Sequence, residues 1–146
     1  MSMKINIKKL KADAVIPKRG SKQAAGYDLY AYTQNPITIE PHKTELIHTG
    51  IAIEIPEGYF GAIVARSGLS VEQGLRPANA IGICDSDYRG EYIVALHNDS
   101  DCVRVIKHEE RIAQLIVMPY LEVEFNEVDK LEDTERGIGG FGSTGK

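Results

Sequence analysis

The chain has 146 residues, 42% of them hydrophobic, with two cysteines and a formal net charge of −4. Length and hydrophobic content suit one domain with a real core and exclude disorder throughout. The charge argues against an electrostatic nucleic-acid binder, no apolar run approaches a membrane span, and two cysteines make no disulfide framework.

The start, Met1-Ser2-Met3-Lys4-Ile5-Asn6, lacks the apolar centre of a secretion signal, so a reducing cytoplasm is the expected compartment. From there the hydrophobic period is mostly two. Ile5 and Ile7 alternate with polar neighbours, as do Ile51-Ala-Ile-Glu-Ile55 and Cys102-Val-Arg-Val-Ile106. This pattern predicts strands at 3–9, 36–40, 43–55, 59–66, 91–98, 101–107 and 111–125. A single short helix is expected near Ser70 to Gly74, with an apolar stripe too small to cover a sheet. The fold class is therefore all-β, a sandwich, jelly roll or barrel. Residues 1–128 read as the β domain, and 129–146 read as a polar, acidic stretch leading into a glycine-rich arm.

Four segments interrupt the strand pattern, and the arm makes a fifth. Gly26-Tyr-Asp-Leu-Tyr30 carries a carboxylate at Asp28. Ala65-Arg-Ser-Gly-Leu-Ser70 offers Arg66, Ser67 and Gly68. The run Asn79 to Glu91 holds Asp85, Asp87, Tyr88 and Arg89. Glu110-Arg-Ile-Ala-Gln-Leu115 places Arg111 and Gln114 at a strand start. Arg136-Gly-Ile-Gly-Gly-Phe-Gly-Ser-Thr-Gly145 combines five glycines with an arginine, a phenyl ring and two hydroxyls.

Each has a plain structural explanation as well. Asp85 to Gly90 could be only a turn, because Asp, Ser and Gly are turn formers. Asp28 could cap a loop, Arg111 could pair with Glu109 or Glu110, and Gln114 could sit on an edge strand. The arm could be a loose terminus. Two motif matches fail outright. Gly137, Gly139 and Gly142 fit a dinucleotide fingerprint, and Gly140 to Lys146 resembles a phosphate-binding loop, but no helix can follow either. His108-Glu-Glu110 matches part of a zinc deaminase signature whose cysteine pair is missing, which leaves His108 as a surface residue on a turn.

Taken together, arginines, hydroxyls, glycines and acids are the parts needed for phosphoryl chemistry, which works by positioning and charge neutralisation. The segments Ala24 to Ala31, Arg66 to Leu69, Gly82 to Glu91, Arg111 to Leu115 and Arg136 to Gly145, in this order, resemble the five motifs of trimeric dUTPases, across almost the whole chain. The resemblance implies a jelly-roll fold, a homotrimer with shared active sites and Mg²⁺ as cofactor. It also implies hydrolysis of dUTP to dUMP and pyrophosphate by in-line water attack at the α-phosphate, which limits uracil in DNA and supplies dUMP for thymidylate.

By the same resemblance Asp85 is the general base. Asn79 and the backbone of Gly82, Ile83 and Cys84 read the uracil edge, in a hairpin from Asn79 to Tyr88. Tyr88 packs on the deoxyribose. Arg66, Ser67 and Gly68 hold phosphates, and Asp28 and Gln114 contact waters of the magnesium ion. Arg136 and the hydroxyls of Ser143 and Thr144 hold the γ-phosphate, Phe141 covers the uracil ring, and Gly142 is a further substrate-binding residue. No nucleic-acid or membrane partner is implied. The chain departs from the common pattern at Cys84, where Ile or Val is usual, at Glu109-Glu110, where Gly-Asp is frequent, and at Ala65, where Pro is frequent. The competing readings are a related dCTP deaminase, a nucleotide-sensing module without turnover and a purely structural jelly roll. Asp85 argues against the sensor, and the full arm argues against the deaminase.

Overall fold

The computed structural model describes residues 3–142. Twelve strands and one helix follow in order: β1 (Asn6–Lys9), β2 (Lys18–Arg19), β3 (Tyr27–Tyr30), β4 (Ile37–Ile39), β5 (Thr44–His48), β6 (Ile51–Glu54), β7 (Tyr59–Val64), α1 (Ser67–Gln73), β8 (Leu75–Pro77), β9 (Gly82–Cys84), β10 (Ile93–Asn98), β11 (Arg104–Ile106) and β12 (Arg111–Pro119). All pairings are antiparallel. The largest sheet has the order β2-β3-β12-β7-β9, a second has β5-β10-β8, and β1-β6 and β11-β4 form two ribbons. Partners distant in sequence dominate, as in the expected jelly-roll-like fold.

The core explains why period two was legible. Along β10, Val94, Leu96 and Asn98 are buried while Ile93 faces out. Leu29, Ile39, Ile47, Ile51, Leu75, Leu96, Ile106 and Ile112 come from eight different strands and share one cluster. Burying each such side chain stabilises the fold by about 1.5–3 kcal/mol before chain entropy is counted. Asn98 is the polar exception. Its amide nitrogen donates to the carbonyls of Ile39 and Cys102, and its oxygen accepts from the Ser100 amide and hydroxyl, so its burial leaves nothing unpaired.

Several boundaries differ from the expectation. The stretch 43–55 is two strands, because the chain turns at Thr49-Gly50. Gly50 takes φ +70°, and a Cβ there would come 2.9 Å from that of Ala14. The last strand stops at Pro119 rather than 125, and residues 120–125 form no regular element. The helix starts three residues earlier than expected and ends at Gly74, whose left-handed conformation returns its N–H to the carbonyls of Leu69 and Ser70. Short strands β2, β3, β8 and β9 lie where no strand was expected, with β3 and β9 inside the motif segments.

Candidate active site

One group of site residues forms where β3, β12 and β7 run side by side. Asp28 on β3 and Val64 on β7 are both register partners of Gln114 on β12. Arg66 follows β7 directly, so three distant segments meet at one sheet end. Arg66 Nε donates to Asp28 Oδ1 at 2.8 Å, and Arg111 donates to Oδ2 at 3.4 Å. The Asp28 side chain is only 13% exposed, so this paired carboxylate is held rather than merely solvated. Gln114 Nε2 donates to the Ala65 carbonyl at 2.8 Å.

Ser67 and Gly68 open α1, whose first intrahelical bond is Ser70 N to Arg66 O, so the preceding amides have no helical partner. Arg111 therefore pairs with Asp28, not with Glu109 or Glu110, and Gln114 sits on a central strand, not an edge.

Magnesium binds carboxylates sparingly, keeps several waters and takes substrate phosphates as ligands. Among the described residues no three His, Cys, Asp or Glu side chains gather into a metal cage. Asp28 retains acceptor capacity beyond its two guanidinium bonds. The Gln114 carboxamide oxygen occupies space that a Cβ at Gly26 would fill. This donor set fits an ion contacted through water.

The second group surrounds a cavity of about 230 Å³ whose lining includes Asn79, Gly82, Ile83, Cys84, Asp85 and Tyr88. β9 carries Gly82 to Cys84, and its partner is β7, so the segment from Asn79 to Tyr88 is not a hairpin paired on itself. The turn after β9 closes through Tyr88 N to Asp85 O at 3.2 Å. Turn chemistry and site chemistry thus coincide here. Asp85 is exposed, and its carboxylate has no hydrogen-bond partner among the described residues, which leaves it available to accept a proton. Cys84 is buried. Burial, opposed in part by Tyr92 and reinforced by the Asp85 charge, pushes its thiol up, so it is no nucleophile at neutral pH. Ala80 has φ +59°, and Ile81 N bonds Asn79 O at 2.6 Å across it, a tight three-residue turn at the pocket edge.

Asp85 and Arg66 themselves stand at opposite ends of β7, while Gly82, the register partner of Ile63, lies near the Arg66 end. Cys84 pairs with Gly61, so Asp85 stands beside the start of β7, whereas Arg66 lies beyond its end at Val64. At about 3.3 Å per residue the separation is roughly 20 Å. One chain therefore gathers Asp28, Arg66, Ser67, Gly68 and Gln114 at one end of β7 and holds Asp85 at the other, with Gly82 to Cys84 running alongside the strand between them. Among the described residues the arm, up to Gly142, joins neither group. Arg136 Nε donates to Gly139 O at 2.7 Å within the arm, and Phe141 is fully exposed beside Gly142. Ser143 and Thr144 lie outside the described residues.

Sequence reasoning missed Arg111 as an Asp28 partner and Glu91 as an anchor. Glu91 accepts from the Gly50 amide and from His48 Nδ1, each at 2.8 Å. Nothing in local sequence signals either contact, because the partners are 83 and about 40 residues away.

A family model described as dUTPase matches residues 12–145. The deoxyuridine 5'-triphosphate nucleotidohydrolase of Nautilia profundicola is 49% identical, covering 99% of this chain and 100% of the relative. That of Hydrogenobaculum sp. is 46% identical, over 98% and 99%. A mutant dUTPase of phage 80alpha superposes with a TM-score of 0.87 at 30% identity, covering 98% of this chain and 99% of the other. A Staphylococcus bacteriophage 80alpha dUTPase mutant with dUpNHpp gives 0.85 at 29%, covering 99% and 100%. With motifs, fold and full-length relatives in agreement, the chain belongs to the dUTPase family.

Proposed function

We propose that the protein is a dUTP diphosphatase that hydrolyses dUTP to dUMP and pyrophosphate. The observation that carries this reading is the cavity lined by Asn79, Gly82 to Cys84 and Tyr88 with an unpaired carboxylate, Asp85, at its rim. Relatives of this length carry the name deoxyuridine 5'-triphosphate nucleotidohydrolase, and a solved phage relative holds dUpNHpp. In the cell such hydrolysis limits uracil incorporation and supplies dUMP for thymidylate.

The chemistry follows from the residues. Asn79 and the β9 backbone present donors and acceptors to the uracil edge, and a base that mispairs with such buried groups loses about 1–3 kcal/mol per contact. Asp85 takes a proton from a water as its oxygen bonds the α-phosphorus and the bond to pyrophosphate breaks in line. Arg66, Ser67 and Gly68 hold phosphate oxygens. Asp28 and Gln114 would hold Mg²⁺ through water, and the ion supplies positive charge that an acidic chain lacks. Arg136 and the hydroxyls of Ser143 and Thr144 hold the γ-phosphate, with Gly142 contributing to substrate binding, and Phe141 covers the base. On this reading residues 1–128 are the catalytic domain and 129–146 are the closing arm.

The roughly 20 Å between Asp85 and Arg66 favours a site assembled between copies, in keeping with a homotrimer in which one chain supplies the general base and another the phosphate cradle. Light scattering is expected to give three copies per particle. The deciding assay mixes protein, Mg²⁺ and each of dUTP, dTTP, dCTP and UTP and follows pyrophosphate. Release from dUTP far above the others, lost by at least about 100-fold in Asp85→Asn with KM little changed, is the expected result. Equal rates on all four nucleotides would remove the specificity, and ammonia from dCTP would move the protein to the deaminase reading.

A further inference from the structure

We propose that Gly90 and Glu91 are positioning residues that lock the Tyr88 ring as a rigid wall of the base pocket, and that this lock sets the discrimination against a 2′-hydroxyl. The inference rests on the dUTPase reading above. Tyr88 is 44% exposed, and so exposed a ring samples several rotamers unless something holds it. Three contacts hold it. Its hydroxyl donates to the Glu91 carbonyl at 2.8 Å. Its ring lies 6.2 Å from that of Tyr92, centroid to centroid. Its outer edge packs directly over Gly90.

Gly90 is not needed for backbone conformation, because its φ lies outside the positive region. It is needed for space. A Cβ there would stand 2.4 Å from the Tyr88 hydroxyl oxygen, 2.6 Å from Cζ and 2.8 Å from Cε2, so the ring would have to leave its place.

The carbonyl that receives the hydroxyl is itself anchored. The Glu91 carboxylate ties to Gly50 N and, with Nδ1 carrying the proton, to His48. Tyr92 N then bonds Ile51 O at 2.9 Å, and the Thr49 hydroxyl donates to Tyr92 O. The β5–β6 corner is thus a rigid base for the wall. A wall that yields by about 1 Å admits an extra hydroxyl, so the lock governs selectivity while leaving Asp85 chemistry in place.

The test uses the full chain and compares steady-state kinetics on dUTP and UTP for Gly90→Ala, Glu91→Ala and the conservative Glu91→Gln, which keeps an acceptor for Gly50 N. The ratio of kcat/KM for dUTP over UTP should fall at least about 10-fold in both alanine variants, with kcat on dUTP within about three-fold of wild type, and should recover in Glu91→Gln. If an alanine variant does not fold, Tyr88→Phe, which removes only the hydroxyl that Glu91 holds, should lower the ratio in the same direction. Ratios unchanged in the folded variants, or a proportional loss on both nucleotides, overturn the lock. A wild-type protein inert toward dUTP removes the dUTPase reading itself, so the two failures are distinct.

Discussion

Gly26 and Gln114 fit together because Gly26 has no side chain. An ideal Cβ on Gly26 would lie 2.1 Å from Gln114 Oε1 and 2.9 Å from Cδ. The clash would dislodge a carboxamide whose nitrogen is bonded to Ala65 O, on a residue whose register partner is Asp28. Gly26→Ala should therefore lower stability by about 1–3 kcal/mol. It should also raise the magnesium concentration needed for half-maximal turnover, because the proposed water contacts of Gln114 move. Thermal melts and a magnesium titration check both halves, and an unchanged titration would separate Gln114 from the ion.

Glu91 gives the fold an acid-sensitive anchor. Burial alone raises its carboxyl, but the His48 bond and the Gly50 and Thr49 amides outweigh this and leave it below the ordinary glutamate value of 4.5. A folded-state value below the unfolded one adds stability that is complete above the unfolded value and is lost as pH falls through the folded one. The Tm gap between wild type and Glu91→Gln should thus be widest near neutral pH and close as pH falls below 4.5 and through the lower folded-state value. A gap that stays constant across that range would mean the carboxylate charge contributes nothing.

Much of this molecule could be read before folding. The alternation of Val94, Leu96 and Asn98 reflects burial on one face, which is a local property that sequence carries directly, whereas Ala52 between Ile51 and Ile53 is buried as well. The motif segments of the site were legible for a different reason: their glycines, arginines and acids are poor strand material and stand out. What stayed hidden was set by distance along the chain. The split at Gly50 depends on Ala14, the end of β12 depends on which neighbour it still has, and Asp28 chooses between several arginines only once β3 meets β12. The separation of Asp85 from Arg66 likewise follows from the antiparallel register of β7 and β9, which no local pattern encodes.

Glu109 holds φ +62° in the turn before β12, where its amide bonds Ala31 O and Glu110 N returns to Lys107 O. That backbone conformation suits glycine and disfavours a residue with a Cβ. Glu109→Gly should raise stability by about 1 kcal/mol, or roughly 3 °C in Tm, without altering kinetics. Glu110→Gly, at a neighbouring residue outside the positive-φ region, should do the opposite. Paired melts decide it, and equal shifts in both variants would show that the turn holds no strain.

The arm should be separable from the fold. From Tyr120 to Gly142 nearly every residue is exposed, and the arm's own bonds, Arg136 Nε to Gly139 O and Gly137 N to Thr134 O, are local. Ending the chain after Glu135 removes none of the clustered core residues and none of the described Asp28 or Asp85 neighbourhoods. The truncated protein should keep its Tm within about 2 °C, since surface changes away from packed features stay small. It should nevertheless lose at least about 100-fold in turnover, because the proposed closure over the γ-phosphate goes with the arm. Circular dichroism and pyrophosphate release test the two halves separately. Full turnover in the truncated chain would show that the phosphate cradle and base pocket suffice alone, and Phe141, fully exposed in the single chain, would then have no part in the reaction.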